Sequence, residues 1–128
     1  MDLFRGGQEN MILQDIEAKL QEIDPNVFYG MVDPKMTETE WNYIVFNRTN
    51  IKHNANKTSA SDYFDVHIIR ENYIPDGIDT KVIDKLTDLD GVRLAGVDSA
   101  FQYVQKPNTN IVVEMLTISF LRARKSNV

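Results

Sequence analysis

The segment Asn110–Lys125 (NIVVEMLTISFLRARK) constrains the fold more than any other part of the chain. It contains neither Gly nor Pro and is dense in β-branched residues, so it reads as one unbroken strand. From Ile111 to Arg124, at about 3.3 Å per residue, it extends roughly 46 Å. A compact domain of this length has a radius of gyration near ~14 Å, equivalent to a sphere about 36 Å across. A straight strand overruns such a sphere. It must bend sharply, or project and pair with something else. A projecting strand edge is a template for another chain, which favours an assembly subunit over a self-contained catalyst.

The 128 residues suffice for one domain with a real core. Hydrophobic residues at 42% and charged residues at 26% give the balance of a globular protein. The absence of cysteine excludes a disulfide framework, a thiol nucleophile and Cys-ligated zinc, and suits a reducing compartment. No apolar run approaches the ~20 residues of a membrane span. The start MDLFRGGQEN has neither the apolar stretch nor the cleavage site of a signal peptide. The expectation is a chain with no membrane partner.

Net charge is −5 and unevenly spread. Residues 1–40 carry nine acids and three bases, whereas residues 105–128 carry Lys106, Arg122, Arg124 and Lys125 against Glu114 alone. A negative chain is a poor general DNA binder. An acidic beginning and a basic end let copies attract one another head to tail. The plainer reading of the basic end is a solvated terminus.

Residues 1–9 are expected to form a flexible N-terminus, with Gly6-Gly7 breaking any pattern. Ile12, Ile16, Leu20 and Ile23 then predict an amphipathic helix over about 10–23, capped by Asn10 and stopped by Pro25. Asn26–Val32 is a short strand candidate and Asp33-Pro34-Lys35 a turn. Trp41–Arg48 is a strand with Trp41, Tyr43 and Val45 on one face and Ile44 and Phe46 on the other, so both faces need cover. The stretch 50–61 is polar and long for a hairpin connection, a loop either disordered or ordered by a partner.

Asp62–Tyr73 alternates, with Phe64, Val66 and Ile68 on a core face and Tyr63, Asp65, His67 and Ile69 on a mixed face. After the turn Ile74-Pro75-Asp76-Gly77, Asp79 caps a second helix over about 80–89 with a stripe of Val82, Ile83, Leu86 and Leu89. Val92–Val97 and Ala100–Gln105 form one strand or two pieces around Asp98-Ser99. The turn 106–110 closes an antiparallel hairpin with 111–121. The order predicts an α+β fold: an antiparallel-dominated sheet of four to five strands with two helices packed on one face. Residues 10–128 form a single domain with a polar loop at 50–61 and a long C-terminal strand at 110–125.

Motifs for chemistry are absent. There is no phosphate loop, no dinucleotide fingerprint, no G-x-S-x-G elbow and no H-E-x-x-H. Tyr63, Asp65 and His67 align on one strand face, the pattern of a small ligand or metal site, or of the polar side of a half-exposed strand. The acid pairs Glu38/Glu40 and Asp88/Asp90 read as solvated turn residues. Trp41, Tyr43 and Phe46 have the chemistry to stack on bases, but no basic residues interleave with them. No catalytic residue, cofactor or metal ligand is assigned, and the chain is not expected to be an enzyme.

The layout as a whole resembles the tail-terminator proteins of long-tailed bacteriophages, which complete the tail and join it to the head. The resembling parts are the acidic amphipathic helix 11–23, the strand WNYIVFNR, the polar loop NIKHNANKTSA and the stretch from Asp62 to Lys125. The resemblance implies a virion structural protein without cofactor, assembled in the host cytoplasm as a homo-oligomeric ring, commonly a hexamer. Such a ring caps the tail tube and meets the head. Its implied partners are the major tail tube protein and the head–tail connector protein, and DNA passes through without specific binding. A stopper or adaptor at the same junction has a similar layout. Interface residues follow on the matching positions. Lys52, His53, Asn54 and Lys57 belong to the loop facing the lumen or a neighbour. Glu114, Arg122, Arg124 and Lys125 belong to the C-terminal strand.

Overall fold

The computed structural model describes residues 11–32, 39–55 and 59–124. The expectations for residues 1–9, the Asn10 cap, the turn at Asp33-Pro34-Lys35, Lys57 and Lys125 lie outside them.

The first helix, α1, spans Met11–Gln21. Leu13, Ile16 and Leu20 are buried, while Ile12 and Ile23 pack at the margin of the core. The deep stripe is therefore centred one position away from Ile12. Pro25 follows the last turn, in which Ile23 N and Asp24 N both donate to Leu20 O. Asp24 stays buried: Oδ1 accepts Asn26 N at 2.8 Å and Oδ2 meets Arg70 at 2.6 Å.

Six strands follow: β1 Val27–Tyr29, β2 Tyr43–His53, β3 Ala60–Glu71, β4 Val92–Leu94, β5 Ala100–Gln105 and β6 Val112–Ala123. The second helix, α2, spans Ile78–Thr87 between β3 and β4. The sheet order is β1-β2-β3-β6-β4, with β5 on β6 as well. All pairings are antiparallel except β1 with β2. The α+β class and the two helices agree with the sequence. Among the described residues the strands number six rather than four to five, because Asp98-Ser99 lies between two strands that both pair with β6, end to end on one edge.

Both helices cover one face. There Ile44, Phe46, Val66, Ile68, Ile118 and Phe120 form one core with Ile16, Leu20, Val82 and Leu86. Phe64 and Phe120 are register partners whose rings stack at 5.4 Å. On the other face a smaller cluster of Tyr43, Val45, Ile69 and Val113 is roofed by Phe28, Val32 and Trp41. Both faces of β2 are thus apolar because both are covered. Trp41, Tyr43 and Phe46 are part of this packing, so they form no platform for bases.

Three expectations change. The first residue of α2 follows Gly77, whose φ of 97° suits glycine, and no side chain caps the helix. Asp79 sits inside the first turn instead, favourably near the positive end of the helix. Second, within the polar loop 50–61, residues 50–53 and 60–61 are strand. A bulge between Arg48 and Asn50 shifts the register, after which Asn50–His53 pair with Ala60–Tyr63. The backbone ladder continues where the side chains no longer find a core, which is why the stretch reads as polar.

Third, β6 does not overrun the domain. It is flanked on one edge by β3 from Ser61↔Ala123 to Glu71↔Val113, and on the other by β4 and β5. Its 12 residues match the 11 of β2 and the 12 of β3. The sheet is elongated rather than spherical, so strand length alone demands no second chain.

Candidate functional site

The backbone of β5 forms an open edge of the sheet. Lys106 N donates to Ile111 O at 2.8 Å, closing the β5–β6 hairpin. Antiparallel alternation then turns the peptide groups of Ala100, Gln102 and Val104 towards β6, and those of Phe101, Tyr103 and Gln105 away from it. No other strand pairs with that outer edge among the described residues. Every residue of β5 is exposed, on both faces. Phe101 is 53% exposed, Tyr103 63% and Val104 43%, beside Val112 at 46%.

The strand AFQYVQ holds no charge, no proline and no bulge, the devices by which solvent-facing edges are ordinarily blunted. The opposite edge is the three-residue, half-buried β1, beyond which the outer side of polar Asn47–His53 of β2 meets no strand among the described residues. Tyr103 is held against β6: its hydroxyl bonds the carboxylate of its register partner Glu114, which holds the phenol protonated beyond its usual range. Glu114 Oε1 also accepts Ile74 N at 2.7 Å. Glu114 therefore ties the turn before α2 to β5 and is occupied within the fold.

The remaining predicted residues fall in two places. Lys52 and His53 are exposed at the tip of β2, opposite Ser61 and Ala60. Asn54 closes the hairpin, its N donating to Ser59 O and its Nδ2 to Ser59 Oγ, both at 3.0 Å. Far from β5, Arg124 makes a two-pronged bond to Asp62 at 2.6 and 2.9 Å. That bond, with the fields of Arg122 and Arg48 adding to it, holds the Asp62 carboxyl below its usual range. Arg122 stands opposite both Asp62 and Val92. The structure brings Arg122 and Arg124 together, away from Glu114, at the end of the sheet that also holds the β2 tip: Arg124 N donates to the O of Ala60, the register partner of His53.

The mixed face of β3 is a hydrogen-bonded row. His67 Nε2 lies 2.9 Å from Asn47 Oδ1, and Nδ1 lies 2.8 Å from Thr117 Oγ1. Asn47 Oδ1 can only accept, so Nε2 carries a proton; in the neutral ring that burial favours, Nδ1 accepts from the threonine hydroxyl. Burial lowers the His67 pKa, against the attraction of Asp65. Asp65 accepts Ser119 Oγ at 2.7 Å. Both ring nitrogens are engaged by neighbouring strands, and among the described residues no three His, Asp or Glu side chains converge as metal ligands.

Sequence reasoning placed β5 in a hairpin but missed that it ends the sheet. The legible signal was its uncharged run between Asp98 and Lys106. No family model and no curated protein matches the chain.

Proposed function

We propose that the protein is a structural subunit of a long-tailed bacteriophage, assembling as a homo-oligomeric ring that caps the tail tube and meets the head connector. The observation that carries the assembly part is the β5 edge: three outward peptide units and two aromatic side chains lie open to water with no device to repel a second strand. Adding a strand from a neighbouring copy satisfies those peptide groups and covers Phe101 and Tyr103. The place in the virion rests on the likeness of layout, with the α+β fold and the exposed β2–β3 hairpin tip in keeping with it. Lys52, His53 and Asn54 at that tip are offered to the lumen or a neighbour. A net charge of −5 suits a ring through which DNA passes without being held.

The test is light scattering and negative-stain imaging across a concentration series, with and without purified tail tubes. Rings forming at high concentration or on tube ends are expected. A monomer at every concentration that leaves tubes uncapped overturns the proposal.

A further inference from the structure

Beyond β1, the outer side of β2 is a second run of backbone without a partner strand among the described residues. Ile44 N donates to Asn26 O and Gly30 N donates to Phe46 O, so the even-numbered peptide groups turn towards β1. The bulge between Arg48 and Asn50 shifts that alternation. Asn54 N donates to Ser59 O, so Asn50 and Lys52 face β3, while Ile51 and His53 face outwards. Ile51 pairs with Asp62, which alternates with Phe64 on the helix side of the sheet. Its side chain is 43% exposed, an apolar group at the end of a polar stretch. Phe101 and Tyr103 lie on the same side of the sheet, opposite Leu116 and Glu114.

We propose that the strand received by β5 is the Ile51–His53 end of β2 from the next copy, laid antiparallel with Tyr103 opposite Ile51 and Phe101 opposite His53. This rests on β5 being the assembly edge, and names what that edge binds. In the sheet β2 and β6 run one way, β3 and β5 the other. A β2 laid antiparallel on β5 therefore runs in the sense of the first copy's own β2, and the helix sides of the two sheets coincide. Successive copies are then related by rotation without turning over, the head-to-tail contact that closes a ring. An antiparallel β5–β5 pair turns one copy over and stops at two. A β2–β2 pair brings together two runs that carry Arg48 and Lys52 and no acid, whereas β5 has no charge to oppose them. Tyr103 against Ile51 is an aromatic–β-branched pair across strands, and each covers exposed surface of the other. Ile51 is level with Arg122 of β6 and Tyr103 with Glu114, eight positions away, so each copy steps about 26 Å along the strands. The strands then tilt to the ring axis, as closure of a sheet requires.

The chain has no cysteine, so an engineered pair reports a single contact. Opposed residues that exchange both backbone hydrogen bonds stand about 5.5 Å apart at Cα, within disulfide reach. Ile51→Cys and Tyr103→Cys, both at exposed positions, are purified singly, mixed at a concentration where the wild type associates, and oxidised. A disulfide-linked dimer is expected from the mixture and from neither variant alone. A chain carrying both substitutions links into a ladder that ends at the closed ring. Phe101→Cys with His53→Cys repeats the test if Tyr103→Cys, which loses its bond to Glu114, fails to fold. A linked dimer from Tyr103→Cys alone overturns the proposal, because β5 then pairs with β5. So do mixtures that stay unlinked while Phe101→Lys weakens assembly, which leaves β5 as the edge with a different partner. Oligomers that are unlinked in both mixtures and indifferent to Phe101→Lys refute the reading of β5 as the assembly edge as well.

Discussion

Phe101→Lys separates assembly from folding most cleanly. Phe101 lies on β5 with 53% of its surface exposed, and its peptide unit faces away from β6. A phenylalanine side chain offers about 200 Å², so strand addition covers about 100 Å² of it. At about 25 cal/mol per Å² this is about 2.5 kcal/mol per interface, or close to 70-fold in Kd. A lysine forfeits most of that term and adds a charge that water must release, so a loss of about 70-fold is expected. The isolated subunit loses little. The lysine stem still lies over Leu116, its register partner, and exposed substitutions stay within about 0.5 kcal/mol. The melting temperature then shifts by roughly 2 °C. Sedimentation velocity across a concentration series, with thermal unfolding alongside, reads both quantities. An oligomer with unchanged affinity at an unchanged melting temperature refutes the assignment of β5 as the assembly edge.

Other outcomes follow from the same contacts. Asp24→Ala leaves the Arg70 guanidinium, 14% exposed, without its carboxylate, and chemical denaturation should show a loss of about 3–5 kcal/mol. Gly91 has φ of 81°, and an added Cβ would stand 3.2 Å from Ala123 O. Gly91→Ala should therefore cost about 1–2 kcal/mol by thermal unfolding and raise amide exchange in β4. His67 is held neutral, so only the unfolded state takes up its proton as pH falls through about 6.5. Stability should fall from pH 7 towards pH 5.5, and His67→Gln should flatten that slope in urea titrations at the two pH values. Lys106, helped by Trp41 N–H, lowers the Glu71 pKa, so the stability from this pair is present above the ordinary carboxylate range and lost in acid. Lys106→Met should reduce the acid sensitivity of unfolding below about pH 4.5.

Local periodicity determined most of the fold. The stripes of the two helices, the alternation of Phe64, Val66 and Ile68, and the two-sided burial of Tyr43–Phe46 follow from which side chains repeat on which face. The closing hairpin follows from its turn residues. These features are short-range, and a chain expresses them before it has a tertiary structure. Partner choice between distant strands is different. Nothing local to Val112–Ala123 says that β3 lies on one side of it and that β4 and β5 share the other, so its length alone looked like a surplus. Nor does polarity at 50–53 exclude a strand, since backbone pairing is indifferent to side chains that have outrun the core. The charges at Glu114, Arg122 and Arg124 were visible in the chain. Only the packing decided that Glu114 is tied to Ile74 and Tyr103, that Arg124 is tied to Asp62, and that Arg122 stands opposite Asp62 and Val92. The open edge at β5 is likewise a property of what surrounds a strand, and the tertiary structure alone determines that.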